Sequence, residues 1–176
     1  MSQMSQDDRK RNRSLHLDVN DLCDHENTPN DSVIKKWLSY TLDYIDNESI
    51  QNHTDFEVSL RIVSEADISE LNDQYRKQNK ATNVLSFPSK VNELLHWPKA
   101  YTYHLGDIVI CASILDEEAR KQKKNIQFYW CHIVVHGFLH LFGYDHSSEL
   151  EAEEMENLER EICVNLGFTD PYTPIN

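Results

Sequence analysis

Apolar positions along the chain recur with two different periods, and the changes of period mark the elements. Leu15-His16-Leu17-Asp18-Val19 alternates and predicts a short strand. Asn30 or Asp31 can cap a helix that carries Ile34, Trp37, Leu38, Thr41, Leu42 and Ile45 on one face. Residues 56–62 alternate strictly. A half-buried strand follows, with Phe56, Val58, Leu60 and Ile62 toward the core and Arg61 on the opposite face. Ser64 through Lys77 has helical spacing, with Ile68, Leu71 and Tyr75 as its expected buried stripe. Residues 83–87 predict a strand ended by Pro88, residues 89–103 a loop, and residues 107–111 a continuous apolar, central strand. Three helices are then expected, at about 113–124, 126–142 and 148–166. The last opens with a capping box, Ser148-x-x-Glu151, and its expected buried stripe is Leu150, Met155, Leu158, Ile162 and Leu166. Its seven glutamates between 149 and 161 read as a solvated face.

Strands that give way to helices indicate an α+β domain. The expectation is a mixed sheet of about four strands with about five helices, spanning residues 15–176 behind a disordered tail at residues 1–14. Composition narrows the class. The hydrophobic fraction of 39% suffices for a core, and no apolar run is long enough for a bilayer. With no apolar stretch at the N-terminus, the expectation is an intracellular, cytoplasmic protein without a membrane partner. Cys23, Cys111, Cys131 and Cys163 fit neither a CxxC pair nor a disulfide framework; Cys111 and Cys131 sit in apolar segments as small hydrophobes. The net charge of −13 has the wrong sign for a general nucleic-acid binder. It is unevenly spread: residues 61–124 hold ten Lys/Arg against nine Asp/Glu, so the excess of acid lies at the two ends. A nucleic acid would have to be held by the middle of the chain.

The chemistry is concentrated in His136-Gly-Phe-Leu-His140-Leu-Phe-Gly143-Tyr-Asp-His146. Histidines four apart on a helix are separated by about 6 Å in rise and about 40° in angle, so both imidazoles reach one ion. Gly143 stands where the helix should stop, and a left-handed residue there turns His146 back toward the other two. Three histidines leave one coordination position open, the arrangement of catalytic zinc, although imidazoles also suit other divalent metals. His132 continues the stripe but lies about 12 Å in rise from His140, too far to share an ion, and so belongs to packing or to the support of the ligands. Asp145 is a candidate to orient an imidazole. Zinc peptidases place a general-base glutamate directly after the first histidine. Here that residue is Gly137, which has no titratable group.

The segment 136–146 resembles the H-G-x-L-H-L-x-G-Y-D-H signature of the YbeY family of bacterial ribosome-associated endoribonucleases. Thr82-Asn83-Val84-Leu85-Ser86-Phe87-Pro88 and Leu105-Gly106-Asp107-Ile108-Val109-Ile110 are similar to two further family strands. Arg61-Ile-Val-Ser-Glu, with the following Leu71-Asn72 and Tyr75-Arg76, resembles a strand and helix of the family, and the segment Gly167 to Tyr172 is included in the likeness. The likeness runs from about residue 55 to residue 172. It implies a zinc-dependent, single-strand-specific endoribonuclease that matures the 3′ end of small-subunit rRNA, takes part in ribosome quality control and works with the ribosome. It implies one zinc ion on His136, His140 and His146, and a functional arginine at Arg61. An outward arginine can present a bidentate fork to a phosphate and stabilise charge growing on it, although an ordinary surface arginine would read the same way. Arg76, Lys77, Lys80 and the run Arg120, Lys121, Lys123 and Lys124 could steer RNA. The alternatives are a metallopeptidase or other metal hydrolase, which Gly137 disfavours, and a non-catalytic ribosome-assembly factor with a stabilising metal.

Overall fold

A computed structural model describes residues 13–47, 50–90 and 102–173. Among these residues four strands form one sheet. The strands are β1 (Ser14–Asp21), β2 (Asp55–Ile62), β3 (Val84–Pro88) and β4 (Tyr103–Ile110), in the spatial order β1-β2-β4-β3. β1, β2 and β4 are parallel, and β3 runs antiparallel to β4 on the edge. The helices are α1 (Asp31–Tyr44), α2 (Glu65–Arg76), α3 (Ala112–Lys121), α4 (Ile126–Leu141) and α5 (Glu149–Asn165). This is the expected α+β domain with a mixed sheet.

The alternation in β2 sorts the molecule into two sides. Phe56, Val58, Leu60 and Ile62, with Ile108 and Ile110 of β4, enter the main core together with Trp37 and Leu38 of α1 and Val134 and Phe138 of α4. The other face carries Val109, Leu85 and Cys111, packed with Val63 and with Ile68 of α2. Arg61 pairs laterally with Val109, so it belongs to this second face, as the period of two predicts. α4 is buried nearly all round, and Asn125 caps it by accepting from the backbone N–H of Gln127 and Phe128. Asn30 caps α1, and the capping box at Ser148 and Glu151 forms as expected. Cys111, Cys131 and Cys163 are buried free thiols.

Five expectations need correction. The proposed tail falls mostly on residues 1–12, outside the described residues, but Arg13 and Ser14 are anchored: Ser14 opens β1, and Arg13 donates to the Leu42 carbonyl at 2.6 Å. β4 begins at Tyr103 rather than at residue 107, because pairing with β2 continues past an irregularity at Glu57/Val58. Residues 91–101 of the expected loop lie outside the described residues. Tyr75 is 60% exposed, since the last turn of α2 runs past the apolar patch that Ile68 covers. Leu150, in the first turn of α5, is 80% exposed. Finally, six of the seven α5 glutamates are exposed but Glu159 is fully buried.

Candidate metal centre

α4 brings His136 and His140 onto one side, and the turn that ends it delivers His146. Phe142 N–H bonds the Leu139 carbonyl and Gly143 N–H the His140 carbonyl, at 3.0 and 3.1 Å, and Gly143 takes φ +86°. That left-handed residue reverses the chain as the spacing predicted. The ligand nitrogens of the three histidines all lie within 4.8 Å of one another. His136 Nε2 and His140 Nε2 stand 3.1 Å apart. Nitrogens on a tetrahedral zinc with bonds of about 2.0–2.1 Å would be about 3.3 Å apart, so the pair already has ligand spacing. His146 is exposed and the other two are half-buried, which leaves the cluster open to solvent on one side.

The histidine cluster is held from behind at His136. His136 Nδ1 bonds Glu159 Oε1 at 2.7 Å, and His132 Nε2 bonds Glu159 Oε2 at 2.8 Å. The Tyr172 hydroxyl donates to the same carboxylate. Burial alone would favour the neutral acid, but the bonds from His132 and His136 outweigh it and hold Glu159 down at about 2. Burial, helped by the neighbouring His136 and His146, pushes His140 down to about 4, so at neutral pH it is the uncharged imidazole that a metal requires. A hydrogen bond with the Tyr144 backbone works the other way and does not win.

His132 therefore meets Glu159 and stands outside the three-histidine cluster, in line with its distance along the helix. Asp145 makes no hydrogen bond to an imidazole among the described residues: its carboxylate accepts from the His146 backbone N–H and from Ser147 Oγ and so closes its own turn, acting on His140 and His146 through its charge. Glu159 and Tyr172 were missed. The signal existed, because Met155, Glu159 and Ile162 follow one another at helical spacing, so the glutamate falls in the buried stripe.

Gly137 answers a packing demand. A Cβ there would stand 3.0 Å from Val84 Cγ2 and 3.2 Å from Ile108 Cγ2 and Ser86 Oγ. Ser86 Oγ also donates to the Gly137 carbonyl at 2.7 Å, tying α4 to β3. The place of the peptidase base is thus filled by the sheet itself.

Arg61 lies elsewhere. It is exposed on the sheet face opposite α4 and lines a groove of about 610 Å³ with Leu71, Tyr75, Phe87, Asp107 and Val109. Tyr75 and Phe87 stack edge to face there at 5.1 Å. The guanidinium makes no hydrogen bond or ion pair among the described residues. The fold gathers the three histidines and leaves Arg61 apart from them. Of the other basic residues, Lys121 pairs with Glu117 and Lys124 donates to the Pro171 carbonyl, whereas Arg76, Lys77 and Lys80 are exposed.

A family model described as Endoribonuclease YbeY matches residues 20–167. The chain belongs to this family. An Endoribonuclease YbeY of Pseudomonas putida is 45% identical over 159 residues, covering 90% of this chain and 93% of the relative. The Endoribonuclease YbeY of Pseudomonas entomophila is 44% identical over the same coverage. The solution structure of TM1509 from Thermotoga maritima is similar with a TM-score of 0.50 at 25% identity, over 91% of this chain and 99% of that one. The YbeY resemblance read from the segment 136–146 and its companion strands therefore stands.

Proposed function

We propose that this YbeY-family protein is a zinc-dependent endoribonuclease that cuts single-stranded RNA in the cytoplasm, maturing the 3′ end of small-subunit rRNA and serving ribosome quality control. The observation that carries the reading is the three-histidine cluster with ligand spacing, in a chain whose relatives are named endoribonucleases. The donor set fits a divalent transition metal: three imidazole nitrogens, two of them at 3.1 Å, with an open side. His136, His140 and His146 would hold it. When bound, the ion supplies Lewis acidity, drawing the pKa of a water toward about 7 and taking up charge on a phosphoryl oxygen.

The chain's own residues divide the remaining work. His140 stays uncharged at neutral pH, so no proton competes for its nitrogen. Gly137 offers no general base, and Ser86 and Val84 leave no room for one; this supports a phosphodiester rather than a peptide substrate. Arg61, which has no hydrogen bond or ion pair among the described residues, is proposed to grip an RNA phosphate with its planar fork. Its position on the far face of the sheet favours a contact along the RNA over one at the bond being cut. No helix among the described residues is long and apolar enough to cross a membrane.

The test is cleavage by highly purified protein. A single-stranded RNA should be cut, a chelator should stop the reaction, added zinc should restore it, and casein-like peptides should remain intact. Chelator-sensitive peptide cleavage with RNA untouched would overturn the reading. RNA binding without any cleavage would leave an assembly factor in its place.

A further inference from the structure

We infer that Glu159 is the positioning residue of the metal centre, and that the segment after α5 is latched over it so that Tyr172 holds Glu159 in place. The inference rests on the three-histidine centre proposed above.

A carboxylate with no exposure is costly unless its lone pairs are filled. Glu159 has three partners: the ring nitrogens of His132 and His136 and the hydroxyl of Tyr172. An ionised carboxylate only accepts, so each partner must bring the proton. For His136 this fixes the tautomer: Nδ1 carries the hydrogen and Nε2 keeps its lone pair. That Nε2 is the atom 3.1 Å from His140 Nε2. Without Glu159 the ring could carry its proton on either nitrogen, and the Nε2–H form would offer no lone pair at that atom to a metal. A carboxylate behind a ligating histidine also raises the basicity of the ring.

The partners come from two places in the chain. His132 lies one helical turn before His136 on α4, and Tyr172 lies beyond the end of α5. Tyr172 is not left to find Glu159 by chance. Asp170 accepts from Arg160 Nε at 2.9 Å and from the Tyr172 backbone N–H at 2.8 Å. The Arg160 guanidinium sits 5.7 Å from the Tyr172 ring. The latch runs from Arg160 through Asp170 to Tyr172, then through Glu159 to His136. Residues far from the reacting groups thereby control the readiness of one ligand.

The experiment measures zinc affinity by competition with a chromophoric chelator, on full-length protein and its variants. Visible spectra of the cobalt-substituted forms are recorded beside it, together with nitrogen NMR of the imidazoles in the metal-free form. Glu159→Gln should bind zinc about 10–100-fold more weakly, shift the cobalt bands, and lose the single Nδ1–H tautomer of His136. Tyr172→Phe keeps the carboxylate but removes one of its three anchors and should show a smaller loss in the same direction, which keeps the test open if the Gln variant fails to fold. Wild-type affinity, unchanged cobalt bands and an unchanged His136 tautomer in folded variants would overturn the inference. A His136→Ala variant that binds zinc as tightly as the parent would instead overturn the centre itself, and the NMR of the metal-free parent would still report whether Glu159 fixes the ring.

Discussion

The two sides of the sheet are prepared to different degrees. On the α4 side, two ligand nitrogens stand at 3.1 Å, a buried carboxylate holds one ring, and a hydrogen-bonded turn delivers the third histidine. On the α2 side, Arg61 lines a groove beside an exposed Tyr75 and has no partner among the described residues. The first arrangement is preorganised: its groups are already paid for in the fold and need not move to receive an ion. The second has a free charge on a flexible stem, which adapts to what binds it. The difference suggests a division of labour, with chemistry on the fixed side and grip on the loose one.

The largest effect should come from the ligands. His136→Ala and His140→Ala should lose the metal and reduce RNA cleavage to background, whereas His132→Ala should keep close to one equivalent of zinc. Metal analysis of the purified variants beside the cleavage assay decides this. Equal metal loss from all three would put His132 among the ligands and remove the basis for the division.

Arg61→Ala comes next. The fold, the melting temperature and the metal content should be unchanged, since an exposed residue of this kind changes stability by no more than about 0.5 kcal/mol. Cleavage should fall by about one to two orders of magnitude, with most of the loss in KM and only partial rescue by Lys. A loss confined to kcat would move Arg61 to the reacting phosphate and break the comparison.

Gly137→Ala should destabilise by about 1–3 kcal/mol, because β3 must give way to the new methyl group. For a chain of this length that is a drop of about 2–4 °C per kcal/mol in thermal melting. Gly137→Glu should cost more and should not create peptidase activity. An unchanged melting temperature would show that α4 does not need its close approach to β3.

The smallest effect concerns acid. Below its ordinary value of 6.5, His140 would be protonated in the unfolded chain but not in the folded one, down to about 4. The unfolded state then binds more protons, so stability is full above pH 6.5 and is lost as pH falls toward 4. Glu159 acts in the same direction over a lower window, from about 4.5 toward 2. Thermal melting of chelator-treated protein should decline across the upper window. A melting temperature that rose on acidification would contradict the assignment of His140 as a neutral ligand.

Much of this was legible in the sequence because it is local. Period two placed Arg61 opposite Leu60 and Ile62, and helical spacing with a glycine stop placed His136, His140 and His146 together. What the sequence hid is non-local. Glu159 was hidden among six exposed glutamates, and its burial depends on α4 and Tyr172, twenty-seven residues behind and thirteen ahead. The early start of β4 comes from pairing with β2, and the exposure of Tyr75 from how little of the second sheet face α2 covers. Neither is written in the period of its own segment.

The most direct measurement of the central claim is a zinc titration of metal-depleted protein, followed by the initial rate of single-stranded RNA cleavage. The account predicts a rate that climbs with added zinc, levels off at about one equivalent, and stays flat for His136→Ala. Cleavage at full rate by the metal-depleted protein, or by His136→Ala, would contradict it.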